Sequence, residues 1–208
     1  MERVARRPRV DQPGPGVRDG VGQYATTFMK TQPLLPIEEE GRLNDPQLRE
    51  NFFERVFVYH RWRQCNTVGV TAHVLINFHA SHKLLILSHG SDLLRNLGQL
   101  VAGVNKKSIE ETSQAYITTL MRTIRRPAAR KGHTNVLQHM QGYLKKQIDQ
   151  ADRAELVEVI ESYRLGRVPL VVPLTLLRHH FRRYPNSYIE QQVYLNPHPP
   201  ELMLRNLI

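Results

Sequence analysis

Wherever apolar residues recur in this chain they do so at three- to four-residue spacing, and nowhere do they alternate as a half-buried strand requires. Between Arg130 and Tyr184, Val136, Leu137, Met140, Tyr143 and Leu144 keep helical spacing, and so do Leu156, Val159, Ile160 and Tyr163. A helix lays such positions along one stripe, because 3.6 residues complete a turn. Upstream, Leu48, Phe52, Val56, Phe57 and His60 make one stripe, and Val70, Val74, Phe78, Leu85 and Ile86 a second. Leu93, Leu94, Leu97, Leu100 and Val101 make a third, and Tyr116, Ile117, Leu120, Met121 and Ile124 a fourth. The expected fold is all-α, with six to eight helices packed as an orthogonal multi-helix bundle.

Capping and breaking residues set the expected boundaries. Asn44 or Asp45 caps a helix with Pro46 in its first turn, while Ser108 with Glu111 and Asp152 with Glu155 have capping-box spacing. Gly90 breaks the second helical region, Pro127 stops the fourth, and Gly166 is placed to end a helix in the left-handed conformation. Val168–Pro173 reads as a short extended linker, with Pro173 in the first turn of the next helix. Trp62 is expected at a helix junction. Tyr194–Glu201 reads as extended, with Leu202–Ile208 docking as a last turn.

Residues 1–45 are of another kind. Pro8, Pro13, Pro15 and Pro36, with Gly14, Gly16, Gly20, Gly22 and Gly41, make a loop-rich arm in which only Tyr24–Lys30 has helical character. The arm is too poor in apolar residues to fold alone, and its Glu38–Glu40 triplet reads as a solvated charge run. The expected division is an arm over 1–45 and a helical domain over 46–208.

Charge is the main functional signal. The net charge is +10 and the isoelectric point near 10.0, which favours a polyanionic partner. Seven basic residues and no acidic one lie between Arg122 and Lys146, and five more, again without an acid, between Arg164 and Arg183. No apolar run is long enough to span a membrane, and no apolar stretch follows the N-terminal arginines as a signal peptide requires; the expected compartment is the cytoplasm. A single cysteine, Cys65, excludes an internal disulfide and an all-thiolate metal site. No Gly-rich phosphate loop, nucleophile with a recognisable base, or paired carboxylates occur in the basic region, so no catalytic residue and no metal ligand is assigned.

What remains is a set suited to anions. His79, His82 and His89 fall on one helix face, either presenting imidazoles to a ligand or buried and hydrogen-bonded within the bundle. His133, Thr134 and Asn135 open a helix whose amides suit an anion, although Thr134 acting simply as a cap accounts for them equally well. Lys83, Arg130, Lys145 and Lys146 suit phosphate, and Tyr143 suits base stacking, unless it packs in the core. His139 follows His133 on the same helix. Arg164 either joins this set or pairs with Glu158 or Glu161.

Phe78–Lys83, Leu87–His89 and Leu97–Ala102, followed by His133–Tyr143, Ser162–Arg164 and Pro169–Leu174, resemble the two halves of the YbgA-like domain. This is a bacterial family of unknown biochemical role, and the resemblance runs from about Leu48 to the C-terminus. Asp19–Ala25, Pro33–Arg42 and Leu43–Asn51 resemble the closing segment of a thiouracil-desulfidase-like, cysteine-rich domain that precedes it in some bacteria. That domain holds an iron–sulfur cluster, which Cys65 alone cannot bind, so the resemblance implies no cofactor and no desulfidase activity for this chain. It implies instead that the arm is the remnant of a truncated domain. Three functions stay open: an accessory module binding tRNA or a nucleotide beside a desulfidase domain in cis, an enzyme acting on a phosphorylated or nucleobase substrate, and a protein-interaction module.

Overall fold

The computed structural model describes residues 23–67, 69–104, 108–202 and 204, and among them there is helix and no strand. Much of the arm, 1–22, and the C-terminal residues 205–208 lie outside the described residues. After a short helix α1 (Gln23–Thr31), seven longer helices form the bundle. They are α2 (Pro46–Thr67), α3 (Ala72–His89), α4 (Ser91–Ala102), α5 (Ile109–Thr123), α6 (Arg130–Leu144), α7 (Gln150–Arg164) and α8 (Val171–Arg183). A single turn, α9 (Ser187–Glu190), and 3₁₀ turns at Glu40–Asn44, Val193–Leu195 and Pro200–Leu202 complete the described chain. Among the described residues no helix is long and apolar enough to cross a membrane.

Local chemistry explains most boundaries. The Asp45 carboxylate accepts from the amides of Gln47 and Leu48 at 2.9 and 3.0 Å, with Pro46 as the first helical residue of α2. Thr71 caps α3 and Ser108 caps α5, each accepting from the amide three residues on. Asp149, not Asp152, caps α7, and Asp152 supplies the amide that Asp149 accepts at 2.9 Å. Gly166 ends α7 at φ 78°, and the amides of Gly166 and Arg167 bond back to Tyr163 and Ser162 as in a Schellman turn. The extended linker expected over Val168–Pro173 is shorter than the prolines suggested. Residues 165–168 turn and α8 begins at Val171, with Pro173 tolerated because a first-turn amide has no intrahelical partner.

α3 is the central helix. It packs on α4, α5, α6 and the Val193–Leu195 turn, and Leu84–Ser88 are buried in succession. A helix covered on several sides needs no polar stripe, so the five-residue face read from the sequence was too narrow. Trp62 sits at a junction as expected: 3% exposed, it meets Phe78 edge-on at 5.1 Å and stacks with Tyr116 at 6.1 Å, joining α2, α3 and α5.

α2 departs most from its pattern. Its buried residues are Asn51, Phe52, Glu54, Arg55, Val58 and Trp62, whereas Val56 and Phe57 are only half-buried and His60 is exposed. The polar members have specific partners. Asn51 Nδ2 donates to the Ile124 carbonyl at 3.0 Å, and Arg55 donates to the Ile37 carbonyl and to Glu38 Oε2, both at 3.3 Å. Glu38 also accepts from Arg42 at 2.7 Å. The acidic triplet is therefore not a solvated run at Glu38, which fastens residues 37–42 to α2. Tyr194–Glu201, expected as extended, is not simply so either, because 3₁₀ turns at Val193–Leu195 and Pro200–Leu202 take in its two ends.

Candidate functional site

The starts of α2, α6 and α8 meet around a cleft of about 350 Å³. Pro46, Gln47, Glu50, Asn51 and Glu54 form its α2 wall. Pro127, Ala128, Arg130 and His133 come from the approach to α6 and its first turn, and Pro169 and Leu170 from the approach to α8. Tyr163 and Leu204 complete the lining. The volume lies at the lower end of the range typical of small-molecule sites.

Gly132 makes the cleft possible. A Cβ built there would stand 1.9 Å from the Ser88 carbonyl oxygen, so only glycine lets the start of α6 rest against the end of α3. That close approach sets His133 on one side of the contact and His89 on the other. His133 Nδ1 lies 2.8 Å from the hydroxyl of buried Tyr194, which fixes the ring from behind. His89 Nε2 lies 3.0 Å from Glu54 Oε1, with both side chains almost wholly buried, at 2% and 6% exposure. Arg130 is aimed by two contacts: its guanidinium donates to the Tyr163 carbonyl at 2.7 Å and lies 4.9 Å over the Tyr163 ring. α6 starts at Arg130, so His133, Thr134 and Asn135 fall inside the helix rather than at its opening, and Thr134 Oγ1 donates back to the Arg130 carbonyl. Neither α6 nor α8 has a side-chain cap, in contrast with α2, α3, α5 and α7.

The residues singled out in the sequence divide into separate places. Arg130 and His133 line the cleft, and His89 reaches it through Glu54. His79 is buried with Nδ1 3.1 Å from the Tyr116 hydroxyl, and burial, with Lys83 adding repulsion, draws it down to about 4. His82, also drawn down to about 4 chiefly by burial, stacks on Phe78 at 3.9 Å. Lys83 and Asn135 are half-buried, and His139 is exposed. Tyr143, Lys145 and Lys146 lie at the far end of α6, about 20 Å from Arg130 at 1.5 Å per residue. There Tyr143, 44% exposed, stacks on Tyr188 at 5.4 Å. Arg164 pairs with Glu161 on the surface, in contacts of 2.7 and 2.5 Å.

Sequence reasoning missed Glu50, Asn51 and Glu54. The fold carries these acceptors from α2 to a site otherwise built from the basic half of the chain, so carboxylates do stand beside Arg130 and His133. The available signal was a polar residue in phase with the core, since Glu54, Val58 and Trp62 repeat at four-residue spacing and all are buried.

The family model described as "Protein of unknown function (DUF1722)" matches residues 83–199, which span α4 to α9 together with the end of α3. The "Uncharacterized protein YbgA" of Escherichia coli (strain K12) is 32% identical over 153 residues, covering 73% of this chain and 90% of that protein. No solved structure matches. With more than half of its length matched by the family model, and a relative of this identity aligned over most of both chains, the chain belongs to the DUF1722 family, which includes proteins like YbgA.

Proposed function

We propose that this protein binds a small phosphorylated ligand, of the size of a nucleotide, in the cleft between α2, α6 and α8. The observation that carries the reading is the placement of Arg130. Its guanidinium is held by the Tyr163 carbonyl and ring at the edge of a cleft that also takes in the start of α6, which has no side-chain cap. A guanidinium aimed in advance matches a phosphate fork, and the first amides of a helix carry partial positive charge toward an anion. His133, fixed by Tyr194, adds a ring able to donate or accept at the same place. Binding of nucleoside monophosphates should raise the melting temperature of the wild type, and Arg130→Ala should abolish the rise. No thermal shift with any phosphorylated ligand at millimolar concentration would overturn the reading.

A second observation favours contact with an RNA strand at the other end of α6. The exposed Tyr143 ring stacked on Tyr188 is a platform for a base, and Lys145 and Lys146 stand beside it for the backbone. Its link to tRNA, and to desulfuration of thiolated pyrimidines by a domain in cis, rests on the resemblance of residues 19–51 alone. An enzymatic role for the cleft falls within the same proposal, since a carboxylate, Glu54, and two imidazoles, His89 and His133, stand at it or beside it.

A further inference from the structure

The cleft has two unlike walls. Glu50 and Glu54 stand on the α2 wall, whereas no acidic residue occurs between Glu111 and Asp149, the stretch that supplies the α5–α6 turn and the start of α6. Arg122, Arg125, Arg126, Arg130 and Lys131 fall within that stretch, and all five are exposed. Among the described residues no carboxylate forms an ion pair with any of them. Arg125 and Arg126 are tied to the cleft from both sides. Just before them the Ile124 carbonyl accepts from Asn51 of the α2 wall, and just after them Pro127 and Ala128 line the cleft. The Arg126 amide bonds back to the Thr123 carbonyl at 3.4 Å, which closes the turn that carries both arginines. With about 3.8 Å between consecutive Cα atoms, neither stands more than about 8 Å along the chain from a lining residue. Positive charge also outruns its counter-charge at this corner. Glu38 is shared by Arg42 and Arg55. Burial draws the Arg55 guanidinium below its usual range, and Arg125 and Arg42 repel it further against the opposing pull of Glu38.

Resting on the phosphate-binding reading above, we infer that the cleft takes a nucleotide with more than one phosphate, the first held by Arg130 and the next by Arg125 and Arg126 at the rim. A cleft of about 350 Å³ is small for a ligand site, so a longer anion runs outward along its mouth. Repulsion from Glu50 and Glu54 turns that anion away from α2 and toward the α5–α6 turn. There two guanidiniums meet it, each able to match a pair of phosphate oxygens, and every added phosphate brings charge for them to neutralise. The ligand class is therefore a nucleoside diphosphate or triphosphate, and the turn supplies the discrimination against a monophosphate.

The test is calorimetry on the full chain with AMP, ADP and ATP, and with inorganic phosphate and pyrophosphate, in a metal chelator at constant ionic strength. ADP binding about tenfold tighter than AMP is the expected result, matching one added hydrogen bond to a charged group, and pyrophosphate should exceed phosphate likewise. Arg125→Ala with Arg126→Ala should bring ADP down to the level of AMP while AMP binding persists, and Arg125→Gln with Arg126→Gln serves if that variant does not fold. Lys145→Ala with Lys146→Ala removes the same charge at the far end of α6 and should leave the ADP-to-AMP ratio unchanged. Equal binding of AMP and ADP by the wild type would overturn the inference and leave the phosphate-binding reading standing. A ratio that survives the arginine change, or falls equally with the lysine change, would overturn it too. Failure of every ligand, inorganic phosphate included, would overturn both.

Discussion

His79 and His82 are the residues through which acid should act on this fold. Both are buried on α3, and both are drawn from 6.5 to about 4, because burial disfavours the charged ring. Lys83 adds to the effect at His79, and Arg61 and His79 add to it at His82, while the Phe78 carbonyl and Glu54 oppose it there. The sign follows from proton counting. Between pH 6.5 and 4 the unfolded chain binds protons at these rings that the folded chain does not, so stability is full above 6.5 and falls as pH drops through that window. The steepest slope is about 1.4 kcal/mol per pH unit for each histidine. Urea unfolding measured from pH 7.5 to 4.5 should show this loss, and His82→Leu should remove its share, since it also deletes a buried Nε2 that has no hydrogen-bond partner. A flat profile in the wild type would contradict the burial argument. Histidines on one helix face are compatible with a ligand site or with a satisfied interior. Only the Tyr116 hydroxyl, 37 residues away from His79, decides between them, and sequence spacing carries no trace of it.

Among the elements, the α3–α6 contact controls the cleft, and Gly132 controls the contact. Gly132→Ala forces a methyl onto the Ser88 carbonyl, a backbone atom that cannot turn aside, so α6 must shift away from α3. Overpacking of this kind costs about 1–3 kcal/mol or more. The melting temperature should fall accordingly, and nucleotide binding should weaken beyond what that fall explains, because His133 and Arg130 move with the helix. Gly142→Ala on the exposed face of the same helix, where an added Cβ meets nothing, is the control, and it should gain up to about 1 kcal/mol from helix propensity. The helices themselves were legible in the sequence, because a 3.6-residue period and residues such as Asp45, Thr71, Ser108 and Gly166 act locally. The cleft was not. Its acceptor wall lies on α2, whose buried stripe includes Asn51, Glu54 and Arg55, and a search for apolar periodicity passes over such residues however well the fold later pairs them. Five of the eleven candidate residues, from Arg130 to Tyr143, share one helix, with Lys145 and Lys146 just past its end, and they look continuous in sequence, but α6 is long enough to hold its two ends in separate sites.

At the scale of the whole molecule, a net charge of +10 predicts attraction to any polyanion, and the question is whether one face concentrates it. Among the described residues, α6 carries no acidic side chain from Arg130 to Leu144, and Lys145 and Lys146 extend that face past the Tyr143–Tyr188 stack. A single RNA strand bound there releases counterions as lysines neutralise phosphates, so log K falls with log salt by about 0.7 for each contact. Lys145→Ala with Lys146→Ala should therefore reduce the slope by about 1.4, read by fluorescence anisotropy with a short labelled oligonucleotide between 50 and 200 mM salt. Both side chains are exposed, so stability should stay within about 0.5 kcal/mol. Tyr143→Ala should weaken binding by the worth of a stacked base, about 1–3 kcal/mol, while leaving the salt slope unchanged. Because these residues stand about 20 Å from Arg130, neither variant should alter nucleotide binding in the cleft, and Arg130→Ala should not alter the oligonucleotide's salt slope. A slope unmoved by the double lysine change would locate the attraction in the diffuse charge of the molecule rather than on α6, and absence of RNA binding at 50 mM salt would remove the strand-binding reading while leaving the cleft untouched.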